Sequence, residues 1–345
     1  MDCRYLYLII VLLLLYYLFP NYYKNYSKTF SSNGNNKKIA IVMIVSEGTE
    51  IKYKHAINTV SCYCSENDCE FLILDENLYP PILKQCEQQD FMFRRHCVVA
   101  MFGQECEATY NYIIFIEGDI GVINPKHDIK NFLPKGREEI LFYNKFFNND
   151  IMAGSYIFKN TQYARNFLYY FANYEKKVPI QHDESDGIAI HAAFVDYLRK
   201  GGHRKEYEHC IKLWRLAEGN HGNLMFTTCM RWILNKYNEK KDDKDEALFD
   251  NGRLVILSKS SKRRWARDGW LTDWKFCEND FFHHGWTSEI VEKESLPFVK
   301  AGVCYEYDSS VKIDCSKIDD DLGQFIKNTE ENEKQDLELS GLLRI

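Results

Sequence analysis

The chain carries no surplus of positive charge: 44 Lys and Arg face 50 Asp and Glu, for a net charge of −6 and a pI near 6.0. A nucleic-acid binder needs a basic face to neutralise phosphates, so that class is excluded. It also lacks an apolar run of standard spanning length. Tyr5 to Phe19 (YLYLIIVLLLLYYLF), closed by Pro20, falls short of the ~20 residues such a helix needs. No small-residue cleavage site follows, since Pro20-Asn21-Tyr22-Tyr23-Lys24 offers nothing of A-x-A type. Tyrosines flank the run as in an interfacial aromatic belt. These features favour a short uncleaved anchor over a signal peptide, with a cleaved, secreted chain as the alternative. Arg4 favours a cytosolic N-terminus, whereas Lys24 and Lys28 pull the other way. There are no internal repeats. The expected organisation is a cytosolic tail at 1–4, a signal anchor at 5–19 that makes the membrane contact, a polar stem at 20–38, one domain at 39–316, and an acidic loose tail at 317–345, where core residues become sparse.

No second cysteine pair and no histidine pair stands at a usual zinc spacing from Cys62, Cys64 and Cys69, which weighs against a zinc site there. Of the 12 cysteines, all but Cys3 follow the apolar run. In a secretory lumen several should be disulfide-bonded, and their odd number leaves at least one thiol without a partner in the chain. Their connectivity is not legible from spacing.

A hydrophobic content of 45%, with 15% aromatic residues, is enough for a real core. Ile39 to Val45 is an uninterrupted apolar run that reads as a buried parallel strand, followed by a short strand at Phe71–Leu74. Residues 88–108 show helical periodicity, with Phe91, Val98, Phe102 and Cys106 on one face. Arg95 shares that face. It either snorkels beside the core or reaches an anion at the sheet's carboxyl end. Tyr112–Ile116 is the next buried strand. Strand, helix and strand in this order predict a crossover and a parallel sheet, with ligands at the carboxyl ends of the strands. Further along, 139–147 and 253–257 read as strands. A helix capped by Asn160 or Thr161 buries Ala164, Phe167, Leu168 and Phe171, and another carries Ile188, Ala192 and Val195.

The strand ending at Ile116 runs directly into Glu117-Gly118-Asp119-Ile120-Gly121-Val122-Ile123-Asn124-Pro125. Carboxylates at i and i+2 point to one side of an extended chain, and Mg²⁺ or Mn²⁺ is a natural partner for them. A solvated turn is the plain alternative. Asp186 has an ordinary role available too, as a cap for the helix near Ile188. Gly154 is either a close-approach point for a ligand or a small packing residue.

The whole run, together with Arg95-His96 before it and Ala153-Gly154-Ser155-Tyr156-Ile157-Phe158-Lys159-Asn160-Thr161, Asp186–His191 (DGIAIH) and His283-His284-Gly285-Trp286 after it, resembles the Asp-x-Asp glycosyltransferases of GT-A fold. It is similar to the Golgi galactosyl-, mannosyl- and xylosyltransferase group, and closer to a nematode-expanded family of predicted nucleotide-diphospho-sugar transferases. The similarity covers roughly 39–300. It implies an α/β fold with a GT-A-like, Rossmann-type, mostly parallel sheet flanked by helices, preceded by one transmembrane segment. It implies transfer of a sugar from a nucleoside-diphosphate donor to a glycan or glycoprotein acceptor, with retention of configuration, by a type II protein of the Golgi or ER membrane. Glu117, Asp119 and His284 would ligate Mn²⁺ (or Mg²⁺), with His283 as fallback. Arg95, Gly154, Asp186 and His191 would bind substrate, and Asp186 would also be catalytic by orienting donor or acceptor. The edge position of His191 on its helix also fits plain packing. The family has Asp at the position of Glu117 and Asn at that of Gly187. The extra methylene moves the carboxylate by ~1.5 Å, so the expectation is a detuned site that Glu117→Asp would improve. Two other classes stay open: a pseudoenzyme of the same fold, and a secreted disulfide-rich binding protein.

Overall fold

A computed structural model describes residues 38–46, 48–75, 85–179, 186–240, 245–301 and 304–344. The tail 1–4, the anchor 5–19 and all of the stem but Lys38 lie outside the described residues. Among the described residues no helix is long and apolar enough to cross a membrane.

In chain order the elements are β1 (Ile39–Val45), α1 (Lys54–Glu66), β2 (Glu70–Asp75), α2 (Phe91–Glu105), β3 (Tyr112–Ile116), β4 (Ile120–Val122), β5 (Ile140–Tyr143), β6 (Ser155–Lys159), α3 (Gln162–Ala172), α4 (Asp186–Arg199), α5 (Arg204–Leu216), α6 (Gly219–Lys236), β7 (Glu246–Phe249), β8 (Leu254–Leu257), β9 (Ala266–Asp268), β10 (Phe282–His284), α7 (Ser288–Lys293), β11 (Phe298–Ala301), β12 (Cys304–Tyr307) and α8 (Cys315–Leu339). Seven strands form one sheet in the order β2-β1-β3-β6-β5-β8-β7. β1 is apolar throughout because both faces of this sheet are covered. Ala40, Val42 and Ile44 pack with Phe93 of α2, Phe167 of α3 and Phe194 of α4. Ile39, Ile41 and Met43 pack with Val60 and Tyr63 of α1 and with Phe282 of β10.

The sheet is mixed, not mostly parallel. β1 pairs in parallel with β2 and β3, and β5 with β8, but β3/β6, β5/β6 and β7/β8 are antiparallel. The parallel half is the one that the strand–helix–strand order predicts. The direction of β6 is set by long-range pairing, which local periodicity does not encode.

Residues 315–339 are not a loose tail but helix α8, capped by Asp314, whose side chain accepts from Ser316 N–H. Ile318 and Leu322 are buried against Phe146, Leu271 and Cys277. Its apolar stripe is diluted by acidic residues and hence hard to see, and the Cys277–Cys315 disulfide fixes its first turn. The other bridges are Cys62–Cys304, Cys64–Cys69, Cys86–Cys97 and Cys210–Cys229, and Cys106 is the free thiol among the described residues. These bridges consume the Cys62–Cys69 cluster and leave no zinc set there.

Candidate functional site

β3 delivers Glu117 and Asp119 to the carboxyl edge of the sheet, where the chain turns into β4. β4, β10 and β9 form a second, small sheet whose register places His284 opposite Ile120 on one side and Asp268 on the other. His284 is thereby held between the acidic turn and Asp268. Its Nδ1 lies 2.8 Å from Asp268 Oδ1, and its Nε2 lies 3.4 Å from Glu117 Oε2 and 3.4 Å from Asp119 Oδ1. Burial disfavours charge on the His284 imidazole, but Asp119 and Asp268 outweigh it and raise His284 well above the ordinary histidine range. Asp119 moves the opposite way: burial would raise it, and His284 pulls it below the usual carboxylate range.

One donor atom each from Glu117, Asp119 and His284 lies within 4.8 Å of the others. This set fits a hard divalent ion. Neighbouring donors around an ion with ~2.1 Å bonds stand about 3 Å apart, close to the His284 separations. Asp268 occupies Nδ1, so Nε2 is the nitrogen left to ligate, the arrangement commonly seen behind metal-bound histidines. His283, the fallback ligand, is excluded by strand alternation. It is fully buried on the other face beside Trp286 and Tyr307, and burial pushes it down to about 3.

A second group supports Glu117 from below. Arg95, on α2, donates from Nη1 to Glu117 Oε1 at 2.8 Å and from Nη2 to Asp186 Oδ2 at 2.6 Å. His96 Nε2 lies 2.8 Å from the same Asp186 oxygen, while its Nδ1 faces the Tyr156 hydroxyl at 3.0 Å. Burial opposes ionisation of Asp186, yet Arg95 and His96 hold it well below the usual carboxylate range. The guanidinium therefore neither snorkels nor waits for a ligand; it ties two carboxylates together. Asp186 is 2% exposed and already takes donors from Arg95 and His96. Through Oδ2 it positions Arg95, and the catalytic and substrate-binding roles expected of it belong to the proposal below.

Gly154 has a sharper role than ligand approach. Ile116 pairs with Ser155, so Gly154 lies opposite Glu117, and a Cβ added there would stand 2.0 Å from Glu117 Cδ. The glycine makes room for the carboxylate. His191 is away from this group. Its Nε2 accepts from Ile151 N–H at 3.1 Å and its Nδ1 faces Ile188 O at 3.2 Å, so both nitrogens serve the backbone. It is a packed residue, not a substrate ligand.

Sequence reasoning missed Asp268 and a set of cations. Asp268 follows Arg264-Trp265-Ala266-Arg267, a stretch with no motif, and only the small sheet reveals it. Lys145 and Arg264 are close enough to help lower Asp268. Arg264 lies 3.7 Å over the Phe146 ring, and burial pushes it down to about 10. Burial, with repulsion from Arg231 and Arg264, pushes Lys259 down to about 8. Among the described residues, Arg231, Lys259 and Arg264 have no carboxylate within salt-bridge distance. Lys259 follows β8 and Arg264 precedes β9, whereas Arg231 lies within α6; cations held this way are suited to receive an anion.

Fold and site together define an α/β protein with a large mixed sheet flanked by helices and a carboxylate–histidine centre at its carboxyl edge. The chain belongs to the family described as "Protein of unknown function, DUF273", whose profile matches residues 60–301. A sequence comparison with curated proteins finds no match. Among solved structures, the chain is similar to a glycosyltransferase involved in the glycosylation of the major capsid of PBCV-1, at 13% identity and a TM-score of 0.35, over 43% of this chain and 72% of that one. It is also similar to the catalytic domain of Drosophila β1,4-galactosyltransferase 7 in complex with xylobiose, at 11% identity and a TM-score of 0.27, over 65% of this chain and 93% of that one.

Proposed function

We propose that this chain is a metal-dependent glycosyltransferase of GT-A type, moving a sugar from a nucleoside diphosphate to an acceptor hydroxyl in the secretory lumen. The observation that carries the reading is the convergence of Glu117, Asp119 and the Asp268-held His284 at the carboxyl end of β3. Glu117, Asp119 and His284 would hold Mn²⁺ or Mg²⁺, and such an ion offsets the negative charge of a departing diphosphate. Arg95, fixed by Asp186, holds the Glu117 carboxylate in place over Gly154, and Asp186 would orient donor or acceptor, as the resemblance implies. Lys145, Lys259 and Arg264 supply positive charge toward the diphosphate. The ordered motifs of the sequence support the same class and, through the resemblance, retention of configuration. Five disulfides support an oxidising compartment, of which the Golgi or ER lumen is our choice.

A pseudoenzyme that binds nucleotide without turnover is the second reading. It draws on Glu117 being already paired with Arg95 at 2.8 Å. The test is a screen of UDP- and GDP-sugars for Mn²⁺-dependent hydrolysis, with thermal shifts measured in parallel, because a ligand that binds only the native state raises the melting temperature. Hydrolysis that disappears in Asp119→Ala supports the transferase. A Mn²⁺-dependent shift with no hydrolysis of any donor selects the pseudoenzyme. Neither shift nor hydrolysis overturns both.

A further inference from the structure

A cavity of about 540 Å³ opens where the two strands that carry His284 and Asp268 end. Its wall includes Trp270, Asp273, Trp274, Gly285, Glu294 and Tyr307. Gly285 directly follows His284 and donates its N–H to the Asp119 carbonyl at 3.1 Å, so the cavity meets the acidic turn at this edge, while Trp274 and Tyr307 wall it on the His283 face of the small sheet. The volume falls in the ~300–1,000 Å³ range of small-molecule sites. Trp270 is 45% exposed, unusual for the largest side chain in a well-packed domain. Asp273 and Trp274 both have left-handed backbones, with φ of 46° and 63°, uncommon for two consecutive non-glycine residues. That turn lays the Trp274 indole against Gly285, whose own φ is 109°.

The chemistry of the lining selects the occupant. Trp270 and Trp274 offer flat apolar surface, Tyr307 backs them from its stack on Trp286, and Asp273 and Glu294 offer carboxylates. No Lys or Arg lines the cavity, so a phosphate-bearing donor is repelled from it. A saccharide ring matches both features: its C–H face packs on an aromatic ring, and its hydroxyls donate to carboxylates in charge-assisted bonds. We infer that this cavity is the acceptor site and that the acceptor is an uncharged saccharide, rather than a protein side chain or a phosphorylated group. The inference rests on the transferase reading for the word acceptor; saccharide binding itself stands on the cavity.

Saturation-transfer NMR with methyl glycosides of galactose, glucose, mannose, xylose and N-acetylglucosamine tests it, alongside calorimetry of UDP with Mn²⁺ on the wild-type protein. At least one glycoside should show saturation of its ring protons with wild type. The signal should vanish in Trp270→Ala and fall several-fold in Asp273→Asn, which keeps a residue tolerant of the left-handed turn. Melting temperatures should confirm that both variants are folded. Saccharide signals that depend on Trp270, without UDP binding by the wild type, uphold the cavity and remove the transferase. UDP binding without any Trp270-dependent saccharide signal overturns the cavity. Displacement of the saccharide by uridine or by choline reassigns the cavity to a base or an organic cation and also overturns the inference.

Discussion

Glu117 is one methylene longer than the aspartate that the family resemblance leads one to expect, and its surroundings accommodate that length. The carboxylate reaches across Gly154 to Arg95 at 2.8 Å and toward His284 at 3.4 Å. Shortening it withdraws the oxygens from one of these partners. The expectation of a detuned site is therefore reversed: Glu117→Asp should lower Mn²⁺-dependent turnover, by about 100-fold for a 1 Å misplacement. Higher turnover in the variant would restore the detuned account. Gly154→Ala tests the same point from the other strand. It should displace the Glu117 carboxylate and weaken Mn²⁺ binding by roughly ten-fold or more, measured by calorimetry. His191 gives a prediction in pH. Burial pushes it down to about 4 from an ordinary 6.5. Between those values the unfolded chain takes up a proton that the native state refuses. Its contribution to stability is thus intact above pH 6.5 and lost as pH falls toward 4, with a slope of up to about 1.4 kcal/mol per pH unit. His191→Gln keeps a donor and an acceptor but does not titrate. Urea melts at pH 7 and pH 5 should show a smaller acid loss in the variant than in wild type, and equal losses would deny the buried neutral state.

At the scale of elements, α8 depends on its staple. Ile318 and Leu322 pack its first turns on Phe146 and Leu271, Thr329 donates to the Phe146 carbonyl, Leu337 packs on the main core, and its outer surface is largely acidic. The Cys277–Cys315 bridge closes a segment of sequence separation 38, which in the chain-entropy model is worth about 4 kcal/mol. A paired Cys277→Ala and Cys315→Ser protein should melt several degrees lower. Its amides at 318–329 should lose hydrogen-exchange protection before those of β1 and β3. Equal protection in both proteins would show that packing alone holds the helix. Glu330 and Glu333 of α8 lie near Lys259, and Glu333 near Arg231, so loosening this helix also changes the field around the cations beside Asp268.

For the whole molecule, Cys62–Cys304 ties segments 242 residues apart, while Cys64–Cys69, Cys86–Cys97, Cys210–Cys229 and Cys277–Cys315 close shorter loops. Bridges of this number support the luminal compartment proposed above, where thiols are oxidised. The luminal reading makes a direct prediction: protease added to sealed microsomes should leave residues 39–345 intact, and detergent should abolish that protection. Digestion of this region in sealed vesicles would place the domain on the cytosolic side and remove the compartment from the proposal.

Much of the architecture was legible in the residues themselves. Ile39–Val45 and Tyr112–Ile116 are continuous apolar runs because both sheet faces are covered, and burial on two sides leaves an unambiguous pattern. Thr161 as a cap, the helix above it and the acidic turn after β3 are local features set by neighbours in sequence. Glu117, Asp119 and His284 were nominated from short motifs in order, and the structure brings them together. Other features were decided by contacts between distant segments. The antiparallel course of β6 puts Gly154 under Glu117, and the β9–β10 pairing puts Asp268 behind His284. The closing of Arg95 onto Asp186 makes this residue, expected to orient donor or acceptor, the anchor of the arginine that holds Glu117. Period and capping act over a few residues and are written in the chain. Which strand lies beside which, and hence which carboxylate faces which base, is settled by the packing of the whole fold.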